Sequence, residues 1–355
     1  MENLNAYEKP VTLKNIVKFA VPTIAMTVFM SFYTMVDGLF VSNLIGTDAL
    51  SAINLTAPVI QLVTAVSTML ATGGSAVIMK KMGEQKTDEA KEDFTFLIIV
   101  NVIVGLVMCA AGYLAMDFIF AGLFVFSRKK SLLHFKKPVF RIRVLGSAAS
   151  NGCSEMATAL VTGIVTMMFN WTMLHYVGED GVAAVTIIMY VLMFASSLYT
   201  GYSYGVAPML SFYYGEQNHE KLKKLVGLSM KVIAVISVIT AAASFVMTRP
   251  LVSVFARPDN PVYNLAVTGN RICTAALLFI GFNIFASGMF TALSNGIVSA
   301  VLAFSRSFVF MLITMIALPL LLGVNGIWLA TPVAELMALS LSFFMLLKYR
   351  KRYGY

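Results

Sequence analysis

Charge is scarce in this chain. Lysine, arginine, aspartate and glutamate together make up 12% of 355 residues, against roughly 25% in an ordinary soluble domain. So little polar surface cannot cover a water-soluble globule, and a disordered or nucleic-acid-binding chain has the opposite composition. Cysteine is rarer still: Cys109, Cys153 and Cys273 all lie inside apolar runs, which excludes a disulfide framework or thiolate metal site and leaves small buried hydrophobes. The histidines, His134, His175 and His219, fall far apart in or beside predicted loops, without metal-ligand spacing. No nucleophile is accompanied by a base, and Gly73 and Gly74 sit in an apolar span without the strand, lysine and helix of a phosphate loop. Neither an enzyme nor a nucleotide-driven machine is expected, and no cofactor.

What the chain has instead is length of apolar run. Hydrophobic residues make up 59% and the mean hydropathy is +0.82. A membrane helix needs about 20 mostly apolar residues, and nine such spans are predicted, near 15–43, 52–79, 94–122, 146–173, 182–212, 226–247, 262–293, 298–322 and 325–347. The expected fold is therefore an all-α polytopic membrane protein. The first run is too long for a signal peptide and lacks a small-residue cleavage site, so it is expected to stay in the membrane. Pro22, Pro58, Pro208, Pro319 and Pro332 fall inside spans; they mark either the broken helices of transporters or the ordinary tolerance of membrane helices for proline. The net charge of +9 clusters between spans, as cytoplasmic loops do, and implies anionic lipid neighbours.

An internal repeat organises the chain. Sliding it by 132 positions (178 minus 46) places Gly46, Asp48 and Ala52 on Gly178, Asp180 and Ala184, Gly73 on Gly205, and Gly83-Glu84-Gln85 on Gly215-Glu216-Gln217. Ala25, Thr34 and Met35 fall on Ala157, Thr166 and Met167 in the same register. Helices one to three thus copy helices four to six as a parallel repeat, and duplicated halves are a mark of secondary transporters. The copies are unequal. The second runs on through three more spans to the basic tail Lys348, Arg350, Lys351 and Arg352, whereas the first passes from its third helix into Arg128, Lys129 and Lys130. We divide the chain into a truncated N-terminal lobe of three helices (1–126), a basic connector of cytoplasmic type (127–145), a C-terminal lobe of six helices (146–347) and a basic tail (348–355). Loop charge agrees that helices are missing. Lys80, Lys81, Lys86 and Lys91 place the loop after helix two inside, helix three must then exit outside, yet the connector also asks to be inside. Either an odd number of helices is absent or one segment re-enters.

The stretch Tyr33-Thr34-Met35-Val36-Asp37-Gly38-Leu39-Phe40-Val41 followed by Leu44-Ile45-Gly46 resembles the opening helix of the multidrug and toxic compound extrusion (MATE) family. So do Gly152-Cys153-Ser154-Glu155, Gly205 and Pro208 before Gly215-Glu216, and Gly323-Val324-Asn325-Gly326-Ile327-Trp328 with Pro332 and Glu335. The resemblance implies two six-helix lobes that open alternately and export organic cations against an inward flow of protons or sodium. This chain departs by lacking about three helices of the first lobe.

Ionised carboxylates inside a membrane cost several kcal/mol and are functional candidates by default. Asp37 has Tyr33 and Thr34 on the same helical face, where hydroxyls hold its proton or a cation; the alternative is an acid near its helix end that snorkels to water. Partial desolvation raises a carboxylate's pKa, which suits an acid that binds either substrate or proton. Glu155 matches a family acid of the second lobe in position. Around it Asn151, Thr158, Thr162, Thr166 and Asn170 draw one polar stripe, lining a wet cavity or acting as interhelical glue. The oxygens of Glu155, Asn151 and Thr158 suit a sodium ion, and no other metal is implied. A weaker stripe, Asn283, Ser287, Thr291 and Ser294, faces the same space or packs. Glu335 either pairs with a neighbour or lines the cavity. Methionines and aromatics such as Tyr190, Phe194 and Tyr204 either give a cation-tolerant lining or pack.

The sequence thus reads as a proton- or sodium-coupled exporter of small organic cations or drugs, with membrane lipids as its other partners, monomeric, in the plasma (inner) membrane. Asp37 and Glu155 are the coupling acids. Two rivals remain: a non-transporting deletion remnant, and a relative that flips lipid-linked precursors, for which only Arg271 and Arg306 approach the spans as cavity cations.

Overall fold

The structure, a computed structural model, describes residues 10–40, 47–113 and 142–355; the side chains of 34, 35, 37–40, 47–63, 108–113 and 151–160 are outside that description, as is most of the basic connector. Among the described residues the chain is helical and contains no strand. The helices are α1 (Leu13–Phe40), α2 (Thr47–Gly83), α3 (Thr87–Tyr113), α4 (Ile142–Tyr176), α5 (Glu179–Gly215), α6 (His219–Val246) and the short α7 (Thr248–Ser253). Then α8 (Pro261–Cys273) runs through a tight turn into α9 (Leu277–Ala292). Beyond it α10 (Gly296–Phe304) passes through a π-helical segment, Ser305–Phe310, into α11 (Met311–Leu322), and α12 (Val324–Tyr353) closes the chain. The all-α polytopic architecture is as the sequence predicts. Six helical units, starting at Leu13, Glu179, His219, Pro261, Gly296 and Val324, are long and apolar enough to cross a membrane among the described residues.

Helix ends follow from local chemistry. Asn218, Asn260 and Asn295 cap α6, α8 and α10 by accepting from the backbone N–H groups of Lys221, Val262 and Val298, and Pro261 at the first position of α8 has no N–H to leave unsatisfied. Gly323 turns α11 into α12 with φ +57°. Beside it, a Cβ on Gly326 would lie 2.1 Å from the Leu318 carbonyl oxygen, so only glycine admits this tight hairpin.

In hydrocarbon the apolar effect no longer drives helices together, and association relies on close packing and interhelical hydrogen bonds. The α1/α5 contact shows both. Gly201 and Gly205, a G-x-x-x-G pair, let α5 approach Ile24 and Ala20 so closely that added Cβ atoms would fall 2.6 and 2.7 Å from their Cα atoms. Thr27 Oγ1 donates to the Ser197 carbonyl at 2.9 Å across the same contact.

Two buried clusters fill the interior. One joins the copies, uniting Ile16, Met82 and Phe96 with Phe212, Leu225 and Phe290. The other draws its buried residues from the second copy onward, from Phe169 and Met173 to Trp328 and Ala334. The copies are therefore packed together at the end that carries the basic loops, while α1 is exposed from Phe29 to Met30 and again at Phe32 and Tyr33. Tyr199 belongs to the second cluster, its hydroxyl bonded to Thr240 and donating to the Leu277 carbonyl at 2.9 Å. Tyr199→Phe is expected to destabilise the protein by about 1–3 kcal/mol, seen as a lower thermal midpoint in detergent with unchanged insertion.

Candidate functional site

The repeat becomes a structural device where α2 and α5 end. A Cβ on Gly83 would lie 2.0 Å from the Phe212 carbonyl oxygen, and a Cβ on Gly215 would lie 2.0 Å from the Lys80 carbonyl oxygen. These are the same contact seen from each side, since 80 and 83 plus the repeat offset of 132 give 212 and 215. The chain then turns in the left-handed region at Gln85 (φ 63°) and Gln217 (φ 56°), again equivalent positions. Two helices thus cross backbone to backbone on a pseudo-twofold axis, which a side chain larger than hydrogen would prevent. Charges frame the crossing: Lys80 lies over the Tyr214 ring at 5.3 Å and Lys221 over Tyr213 at 5.4 Å. In the first loop Glu84 accepts from the Lys86 ammonium at 2.9 Å, and that hydrogen bond with the carboxylate's charge raises this lysine above its ordinary pKa.

Deeper in the second copy lies a buried polar network. Arg306, in the π-helical segment, donates from Nε to Glu335 Oε1 at 2.8 Å and Oε2 at 3.0 Å. Glu335 also accepts from Asn283 Nδ2 at 2.8 Å, and Asn283 Oδ1 accepts from Ser342 at 2.9 Å. One turn further along α9, Ser287 and Thr291 share the hydroxyl of Ser299. Every partner of the carboxylate is thus a donor, the condition under which a charge tolerates burial. Beside the network is a cavity of about 200 Å³ lined by Ser196, Thr200 and Ser203 of α5, Ser287 of α9 and Arg306.

Of the sequence-predicted site residues, the side chains of Asp37, Thr34, Asn151, Glu155 and Thr158 lie outside the described residues. Tyr33 is exposed, as is Thr162, whose carbonyl accepts from Thr166. Asn283 and Ser287 are buried, and only Ser287 of the two borders the cavity. Glu335 pairs with Arg306. Sequence reasoning marked both charges without joining them, and it missed the hydroxyl row Ser196, Thr200 and Ser203 altogether. The signal was present in their spacing of four and three, which places all three on one helical face.

A glycine-sealed crossing of duplicated helices, with buried charge inside the bundle, defines a polytopic membrane transporter. The MatE family profile matches residues 22–163 and, a second time, 155–316, and the chain belongs to that family, a family of multidrug efflux transporters. Solved structures share the fold. Among them are an outward-facing multidrug resistance MATE transporter of the MOP superfamily (18% identity, TM-score 0.86, 100% of this chain and 98% of that one) and a MATE in complex with MaL6 (17%, 0.87, 100% and 99%). A further one is a MOP superfamily transporter from Pyrococcus furiosus, described as having a binding pocket of reverse polarity that suggests a different function (16%, 0.85, 100% and 98%). Comparison with curated proteins found no match.

Proposed function

We propose that this protein exports small organic cations, drugs among them, in exchange for protons or sodium, by opening the space between its two copies alternately to either side. It works as a monomer in the plasma membrane, without a cofactor and without catalysing a chemical reaction. The observation that carries this reading is the duplicated crossing at Gly83 and Gly215: a backbone-to-backbone seal at one end of two related bundles is what alternating access must make and break. Family membership supports it, and so does the ligand complex of a structurally similar MATE. Asp37 and Glu155 are the coupling acids, each taking a proton, or sodium with help from Asn151 and Thr158, as substrate leaves. Tyr33, Thr34 and Thr162 are proposed to line the path with them.

The test is efflux of ethidium from proteoliposomes holding the purified chain, under an imposed proton or sodium gradient. Export that stops when an ionophore collapses one gradient names the coupling ion. Asp37→Asn should then remove the pH dependence while leaving insertion unchanged. A correctly inserted protein that moves no dye under either gradient would instead be the deletion remnant, and movement of a lipid-linked anion alone would indicate a flippase.

A further inference from the structure

The cavity beside the buried ion pair has a charge pattern that the cation-export reading does not use. Arg306 is its only charged lining residue among the described residues. Its Nε is committed to Glu335, and its two Nη groups have no acceptor among the described residues. Glu335, already neutralised by Arg306 and held by Asn283, is not on the wall. Opposite stand Ser196, Thr200 and Ser203 on one face of α5. Serine and threonine in a helix usually turn their hydroxyls back onto the carbonyl four residues earlier, as Thr72, Thr166 and Thr172 do here. These three make no such bond among the described residues, and Ser203 is only 2% exposed. The arginine, moreover, is carried by a π-helical segment, a feature concentrated at functional sites. A guanidinium whose two Nη groups still point donors at a row of unengaged hydroxyls is built to bind carboxylate or phosphate oxygens, and it offers a cation no acceptor of comparable strength.

We propose that this cavity is a subsite for an anionic oxygen group, carboxylate or phosphate, carried by the transported substrate. At about 200 Å³ it is smaller than the ~300–1,000 Å³ that drug-sized ligands occupy, so it holds one end of a substrate and leaves the rest outside it. The substrates of this exporter then include zwitterions and anions as well as cations. Only the word "transported" rests on the exporter reading; the binding does not.

The experiment uses the full-length protein in neutral detergent and three probes of one ring size: benzoate, phenyl phosphate and benzylammonium, titrated by saturation-transfer NMR. The proposal expects benzoate or phenyl phosphate to bind at least about tenfold tighter than benzylammonium, as charge-assisted hydrogen bonds require, and their ratio separates carboxylate from phosphate. Phosphatidylglycerol added to the micelles displaces the bound probe if a lipid headgroup is the occupant, and leaves it if a free anion is. The paired variant Arg306→Gln/Glu335→Gln, which removes both charges and the guanidinium fork while keeping polar groups that can bond each other, should abolish the anion preference, and Thr200→Val should weaken it while leaving the ion pair intact. A wild-type protein that prefers benzylammonium overturns the proposal, as does an anion preference unmoved by both variants. Loss of ethidium export with anion binding retained would overturn the exporter reading alone.

Discussion

Gly83→Ala and Gly215→Ala are each expected to cut the rate of dye export by roughly ten- to a hundredfold. A methyl group at either position meets a backbone carbonyl oxygen at 2.0 Å, and backbone cannot step aside as the tip of a flexible side chain can. Overpacking of this kind costs about 1–3 kcal/mol, and the cost falls on the conformation in which the crossing is closed, since opening relieves the clash. Closed molecules should therefore become fewer by the matching factor, at about 1.4 kcal/mol per tenfold. Two measurements check this together: initial export rates, and labelling of a cysteine placed at Met82, which is buried beside the crossing, by a membrane-impermeant maleimide added on the basic-loop side. Slower export should accompany faster labelling. Gly227→Ala is the control, because a Cβ there meets nothing within 4 Å, and alanine is the better helix former by roughly 0.8–1 kcal/mol. Normal export and labelling in both crossing variants would remove the seal from the mechanism.

Glu335→Ala is expected to destabilise the protein by about 3–5 kcal/mol, the usual consequence of stranding one member of a buried ion pair. Arg306 would be left charged in a membrane-spanning helix, where a lone arginine is itself unfavourable, and Asn283 would lose its carboxylate partner. Replacing both charges, as in Arg306→Met/Glu335→Met, should by the same reasoning be neutral or stabilising, since desolvation of the pair offsets much of its attraction. Fluorescence-detected size exclusion after a heating series reads the difference: a collapsed midpoint for the single variant and a near-normal one for the double. A stable Glu335→Ala protein would mean that the pair is not buried as described. The combination of a tolerated double variant and a lost anion preference would separate what the pair does for stability from what it does for ligands.

Much of the architecture was legible in the chain itself because membranes impose simple rules. Apolar runs of sufficient length become helices, since every backbone polar group must find its partner within the segment. The repeat was legible because glycine, glutamate and glutamine kept their register over 132 positions. Why those glycines recur was not. Nothing in Gly83 or Gly215 taken alone says that each faces the carbonyl of the other copy's helix, because that contact joins residues far apart in sequence.

The charges divide in the same way. Composition and hydropathy determined that Arg306 and Glu335 sit in membrane helices and that each therefore needs a reason to be there. Tertiary structure decided that they answer each other, with the π-helical segment turning Arg306 toward α12 while Asn283 completes the carboxylate's shell. It also decided that Ser196, Thr200 and Ser203 face a cavity rather than their own helix. Hydrophobic length and periodicity are one-dimensional properties, summed along a segment, and so survive in the sequence. Which polar groups meet depends on how close two helix axes come and on their rotation about those axes, and packing between distant segments sets both.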